Sequence, residues 1–97
     1  MAGQQRITAD GVLGTSGKPQ RVYSLTIMGK LTGPGVVILR NGTLVTDTET
    51  FRAQGVSEGT TTTSFGTCGR FFPAGCFVDV DGDVEYAEFD YEQVQST

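Results

Sequence analysis

Short apolar runs, each cut off by turn-forming residues, follow one another along this 97-residue sequence. In the clearest run, Tyr23, Leu25 and Ile27 alternate with serine and threonine, which is the two-residue period of a β-strand with one buried face. No segment keeps a helical period over the ~10 residues that a helix needs. The 14 glycines and the many threonines favour turns and strands. The sequence therefore predicts an all-β protein.

One Asn-Gly dipeptide stands between two apolar runs. Asn41-Gly42 follows the apolar residues 36–39 and precedes Leu44 and Val45. Both central residues of a type I′ turn need a positive φ, and Asn-Gly is the strongest short hairpin signal for that reason. We expect Leu44 and Val45 to return antiparallel beside residues 36–39.

An Asp-Gly dipeptide predicts a second hairpin near the carboxyl end. Asp81-Gly82 separates the run from Cys76 to Val80 from residues 84–91. Within the later run the apolar phase changes, which predicts a β-bulge near Ala87-Glu88.

These segments, with the runs near Phe51 and Thr60, amount to seven or eight short strands. A chain of this length holds one hydrophobic core. We therefore expect a single antiparallel β-sandwich domain over residues 7–97, jelly-roll or immunoglobulin-like, with a small β-barrel as the alternative. Residues 1–6 are polar and without a period, so a flexible amino-terminal arm is predicted there.

The chain contains no histidine and no tryptophan. Without histidine the usual general base and the partner of most serine or cysteine nucleophiles is missing. Two carboxylates could replace it only across a cleft of ~5–9.5 Å, which the acids of one hairpin are poorly placed to form. We predict that the protein is not an enzyme and that it has no catalytic residue and no cofactor.

Alternating carboxylates at Asp79, Asp81 and Asp83 suggest a calcium loop. That loop needs glycine at its sixth position and glutamate at its twelfth, where this chain has Val84 and Asp90. We therefore prefer a turn with acids facing solvent, and no metal site, to an incidental calcium site.

The two cysteines, Cys68 and Cys76, are too few for a zinc site. They are expected to be small buried apolar residues, with a disulfide across the short loop as the alternative.

All seven basic residues precede position 71, and seven of the eleven acids follow it. The folded surface could have one positive and one negative region, or the fold could mix basic and acidic residues over the surface. We favour the second interpretation. No basic cluster predicts nucleic-acid binding, and no window approaches the ~20 apolar residues of a membrane span.

A cation and two aromatic rings stand together at Arg70, Phe71 and Phe72. Neighbours on a strand point to opposite faces, so one ring can enter the core while the other lies outside. An exposed phenylalanine beside arginine is typical of an interface anchor. We predict that these three residues contribute to a protein–protein interface, with burial of both rings under loops as the alternative.

Three segments, in the same order along the chain, resemble a group of small structural proteins of tailed phages, especially marine ones. The segments are Ser16-Gly17-Lys18-Pro19 with Arg21-Val22-Tyr23, Asn41-Gly42-Thr43, and residues 72–81. The resemblance implies a virion component with a β-sandwich fold. Such proteins are capsid decoration (cement) proteins, often trimeric, or pieces of tails and fibres, and they have no catalytic motif.

On this basis we expect a decoration protein that binds the major capsid protein, or another virion protein, and forms a homo-oligomer, a trimer being favoured. The first ten residues lack the apolar segment of a secretory signal, so synthesis in the host cytoplasm and location in the virion are expected. The alternatives are a tail or fibre component, or a glycan-binding module that uses Tyr23, Tyr86 and Tyr91 in place of tryptophan.

Overall fold

The computed structural model describes residues 2–94, which form nine strands and no helix. The strands are β1 (Ala2–Ile7), β2 (Gly11–Leu13), β3 (Gln20–Gly29), β4 (Val36–Asn41), β5 (Thr48–Gln54), β6 (Thr60–Ser64), β7 (Arg70–Phe72), β8 (Cys76–Val80) and β9 (Val84–Gln93). Within these residues there is accordingly no helix long and apolar enough to cross a membrane.

The strands form two antiparallel sheets. Sheet A has the order β1-β9-β3-β6, with the short β7 paired to the first residues of β3, and sheet B has the order β2-β8-β4-β5. Leaving β7 aside, β1 pairs with β9, β2 with β8, β3 with β6, and β4 with β5. This nested series of antiparallel pairs, wound into two sheets, is the arrangement of an eight-stranded jelly roll. The predicted all-β sandwich is confirmed, and the strand order selects jelly-roll over immunoglobulin-like topology.

The core lies between the two sheets. Strand β3 supplies Leu25 and Ile27 from sheet A, and β4 supplies Val37 and Leu39 from sheet B, all at most 1% exposed. In both strands these side chains are two residues apart, because alternate residues of a strand point to the same face. The period-2 pattern of the sequence thus marks the inner face of each sheet.

The predicted hairpin at Asp81-Gly82 does not form, because β8 belongs to sheet B and β9 to sheet A. One carboxylate oxygen of Asp81 accepts the backbone N–H of Val36 at 3.0 Å, and the other accepts that of Asp83 at 3.0 Å. The turn is therefore tied to β4 of sheet B while the chain crosses to sheet A. Turn propensity is local and does not determine which sheet the next strand joins.

The hairpin at Asn41-Gly42 does form, but the returning strand starts at Thr48. Leu44 and Val45, predicted to return as a strand, lie in the loop and are 60% and 50% exposed. The Asp47 carboxylate accepts the backbone N–H groups of Thr43 and Leu44, at 2.9 Å each. A longer loop closed by this side chain replaces the two-residue turn.

The predicted bulge in β9 exists, two residues earlier than expected. The pairing of β3 with β9 shifts between Met28 and Gly29, which leaves Glu85 of β9 as the extra residue. Val84 and Ala87 therefore both face the core, although their positions differ in parity.

The segment expected to be a flexible arm is a strand over residues 2–6; Met1 lies outside the described residues. β1 pairs with β9 along its whole length, from Ala2 opposite Glu92 to Ile7 opposite Ala87. The prediction of a loose arm is wrong for these residues, because a polar edge strand shows little of the apolar alternation that marks a strand in the sequence.

Candidate protein–protein interface

The predicted interface residues are the three residues of β7. Phe72 lies opposite Gln20 of β3 and is fully buried, whereas Phe71 lies opposite Arg21 and is 44% exposed. One ring enters the core and the other faces out, as the alternation predicts. Phe72 is therefore a core residue, which corrects its inclusion among the surface residues, and Arg70 and Phe71 stay exposed.

Arg21 holds the exposed ring of Phe71. Its guanidinium carbon lies 5.0 Å from the centre of that ring, and its Nη1 donates to the Cys68 carbonyl at 2.8 Å. A cation over an aromatic face is attracted by the ring quadrupole. The ring is therefore presented in a supported position on the outer face of sheet A.

Arg70 covers an aromatic pair where the two sheets meet. Its guanidinium carbon lies 5.4 Å from the ring centre of Phe51, in β5, and 5.6 Å from that of Phe65, just after β6. The two rings meet edge to face, with centres 4.8 Å apart and planes at 79°. Arg70 also donates to the Thr50 carbonyl at 3.2 Å, so it joins the edges of both sheets.

These five residues, Arg21, Phe51, Phe65, Arg70 and Phe71, are here called the aromatic patch. Sequence reasoning found Arg70 and Phe71 but missed the other three. Phe51 and Phe65 belong to the two runs predicted as strands near Phe51 and Thr60, and their contact forms only because these runs, in different sheets, come together in the folded protein. Aromatic rings with arginine are the residue types enriched in the buried centres of protein interfaces.

Four further exposed apolar side chains lie on loops at the two ends of the sandwich. Leu31 and Val56, 74% and 51% exposed, are at the end where β3 finishes. Leu44 and Val45 are at the opposite end, where β4 finishes.

The alternating acids of the β8–β9 segment each have a protein partner. Arg40 pairs with Asp79 at 3.0 Å, Asp81 accepts backbone N–H groups as described above, and Thr32 donates to Asp83 at 2.7 Å. Across residues 2–94 no group of three or more histidine, cysteine or acidic side chains is placed to hold a metal ion.

A polar groove of about 180 Å³ lies on the outer face of sheet A. Ser24 and Gln4 donate to the two oxygens of Asp90, at 2.7 Å and 2.9 Å. Both hydrogen bonds, that of Ser24 more strongly, lower the pKa of the Asp90 carboxyl. Groups that could recognise a ligand here already bind one another.

The three tyrosines proposed as sugar platforms do not form one surface. Arg6 lies 4.1 Å above the ring of Tyr86, and Tyr91 packs against the core. Tyr23 donates to Glu92 at 2.9 Å, and this hydrogen bond is the main cause of the raised pKa of its phenol. The three tyrosines therefore do not combine into one stacking site for a sugar, which the glycan-binding alternative would need.

The two cysteines are free and differ in environment. Cys76 is buried in the core, and burial raises the pKa of its thiol to about 12. Cys68 is exposed, which differs from the expectation that both are buried.

Two ion pairs bring the basic part of the sequence, before position 71, into contact with the acidic part after it. Arg6 in β1 bonds Glu88 in β9 at 2.9 Å, and Arg40 in β4 bonds Asp79 in β8 at 3.0 Å. Both pairs join a base from before position 71 to an acid from after it, as the favoured interpretation of the charge distribution expects.

No protein-family model matches this chain, and no curated protein is significantly similar to it. Among solved structures, a chain of the Bacillus endospore appendages, described as a family of disulfide-linked pili, matches with a TM-score of 0.49 and 15% sequence identity. The match covers 93% of this chain and 83% of that chain. At this distance the likeness carries no argument about function.

Proposed function

We propose that this protein is a structural component of a virion, most simply a decoration protein that binds the shell of the major capsid protein and acts by contact, not catalysis. The observation that carries the proposal is the aromatic patch, in which Arg21 supports the 44% exposed ring of Phe71 and Arg70 covers the Phe51–Phe65 pair. A supported, half-exposed aromatic side chain loses little conformational entropy when a partner covers it.

Two further considerations support a virion. The jelly-roll sandwich recurs in viral capsid domains, which is an argument from fold analogy alone. The second consideration is the resemblance of three sequence segments to small phage structural proteins. For a virion protein of this kind we expect synthesis in the host cytoplasm.

The test is sedimentation of the purified protein with undecorated capsids. We expect saturable co-sedimentation, and we expect Phe71→Ala to weaken it by roughly thirtyfold or more, as for an interface hot spot of about 2 kcal/mol. Val56→Ala is the matched control, since Val56 is apolar and 51% exposed but lies at the end of the sandwich where β3 finishes, whereas Phe71 lies opposite Arg21 at the start of β3.

Failure to co-sediment would contradict the proposal. Binding to tails or fibres instead would favour the alternative virion location. Saturable binding to sugars, without binding to any virion protein, would favour the glycan-binding alternative.

A further inference from the structure

Strand β6 forms an edge of sheet A, and one side of its backbone faces away from the sheet. The carbonyl of Gly59 and the N–H of Phe65 bond to β3. Along a strand the backbone groups of successive residues point to alternate sides. Thr61 and Thr63 therefore bond β3, while Thr60, Thr62 and Ser64 turn their N–H and C=O groups outward, where no other described strand pairs with them.

Each of the other edge strands has a protective feature. β1 has a charged side chain, Arg6, and β2 and β7 have only three residues each. β5 has Glu49 and Arg52, a register shift at Thr50, and an arginine bonded to the Thr50 carbonyl. Short length, charge and bulges are the usual means by which natural sheets prevent pairing at their edges.

β6 has no charged residue and no bulge, and at five residues it is longer than β2 and β7. Its five residues are four threonines and a serine, without charge or proline. Its pairing with β3 runs from Ser24 opposite Ser64 to Met28 opposite Thr60 without a register shift. It is therefore a straight, uncharged, open edge, which is the kind of template that accepts an added strand.

We propose that β6 pairs with β6 of a second copy of this chain, antiparallel and across a two-fold axis at Thr62. In this register Thr62 faces Thr62 of the second copy, and Thr60 faces Ser64. All three outward residues then form hydrogen-bonded pairs, for a total of about six N–H···O bonds. A shift of the axis by one residue position would leave outward groups unpaired.

The chemistry of the strand favours a second copy as the occupant. Hydroxyl side chains face hydroxyl side chains, which is a favourable cross-strand combination, and no like charges meet. The half-buried rings of Phe51 and Phe65 lie beside this edge, so the approach of a second copy also covers apolar surface. A two-fold contact predicts a dimer, in place of the trimer expected from the resemblance, and it does not depend on the proposed function.

The test is the mass of the full-length protein in solution, measured by light scattering and sedimentation velocity over a range of concentrations. We expect a species of twice the 10.3 kDa of one chain. Thr62→Lys, which places two ammonium groups opposite each other, should weaken the dimer by roughly tenfold or more. Thr62→Pro removes an outward N–H that does not bond β3, and should also weaken it.

Thr48→Lys is the control, because it adds the same charge to another exposed position on an edge strand; it should leave the dimer intact. Urea unfolding confirms that each variant is folded. In the wild-type dimer, the amide hydrogens of Thr60, Thr62 and Ser64 should exchange more slowly as concentration rises. A monomer at about millimolar concentration, a trimer, or a dimer that neither variant weakens would overturn the proposal.

Discussion

Phe71 and Phe72 are adjacent in the chain and have opposite environments. Phe72 is fully buried between the sheets, and Phe71 is 44% exposed under Arg21. The two-residue period of a strand requires that one ring points inward, but it is the pairing of β7 with β3 that decides which one. Two residues that are neighbours in the sequence can therefore lie one in the core and one on the surface.

Phe72→Ala should lower the free energy of unfolding by about 3–5 kcal/mol, because it removes a large side chain from the core and leaves a cavity. Phe71→Ala, the matched control, should lower it by about 1 kcal/mol or less, the value of an exposed cation–aromatic contact. Urea denaturation measures both. Equal losses in the two variants would contradict the assignment of the rings to opposite faces.

At the scale of elements, β1 depends on its neighbour more than on its own sequence. Its outward side chains bond those of β9, with Gln4 to Asp90 at 2.9 Å and Arg6 to Glu88 at 2.9 Å. Over residues 3–7, the part of this strand whose burial the structure describes, Ile7 alone contributes to the buried core. A strand that is polar on most positions cannot be recognised from hydrophobic periodicity, since its stability comes from hydrogen bonds to a distant segment.

Removal of residues 1–6 should lower the stability substantially, because each lost ladder hydrogen bond is worth about 0.5–1.5 kcal/mol. It also exposes the edge of β9. Arg6→Ala alone should cost at most about 1 kcal/mol, as expected for a surface ion pair. Thermal and urea unfolding of the two variants measure the difference. If the truncated protein were as stable as the full chain, residues 2–6 would behave as the loose arm that the sequence suggested.

At the scale of the whole molecule, unfolding exposes a core thiol. Burial raises the pKa of Cys76 to about 12 from 9.0, so the native state keeps the neutral thiol where the unfolded chain ionises. The stabilisation is fully present below pH 9 and is lost as the pH rises toward 12, with a slope of at most about 1.4 kcal/mol per pH unit.

Urea unfolding between pH 8 and about pH 11 tests this dependence. The wild-type protein should lose more stability over this range than Cys76→Ala, which has no thiol to ionise. Cys68→Ser should behave as the wild type, because Cys68 is exposed in the folded protein. Parallel pH profiles for the wild type and Cys76→Ala would contradict the assignment.

The all-β class and the positions of most strands could be predicted from the amino-acid sequence, because the alternation of Leu25 and Ile27 with polar residues and the breaks at glycine are local properties. The sequence also predicted that one of the two adjacent rings at residues 71 and 72 could be exposed, with burial of both as the alternative. Three features could be seen only in the folded protein: β8 and β9 lie in different sheets, the polar residues 2–6 form a strand, and Phe51 contacts Phe65 under Arg70. These outcomes depend on hydrogen bonds and packing between segments far apart in the chain, and the same local turn chemistry at Asp81 serves a hairpin or a crossing between sheets equally well.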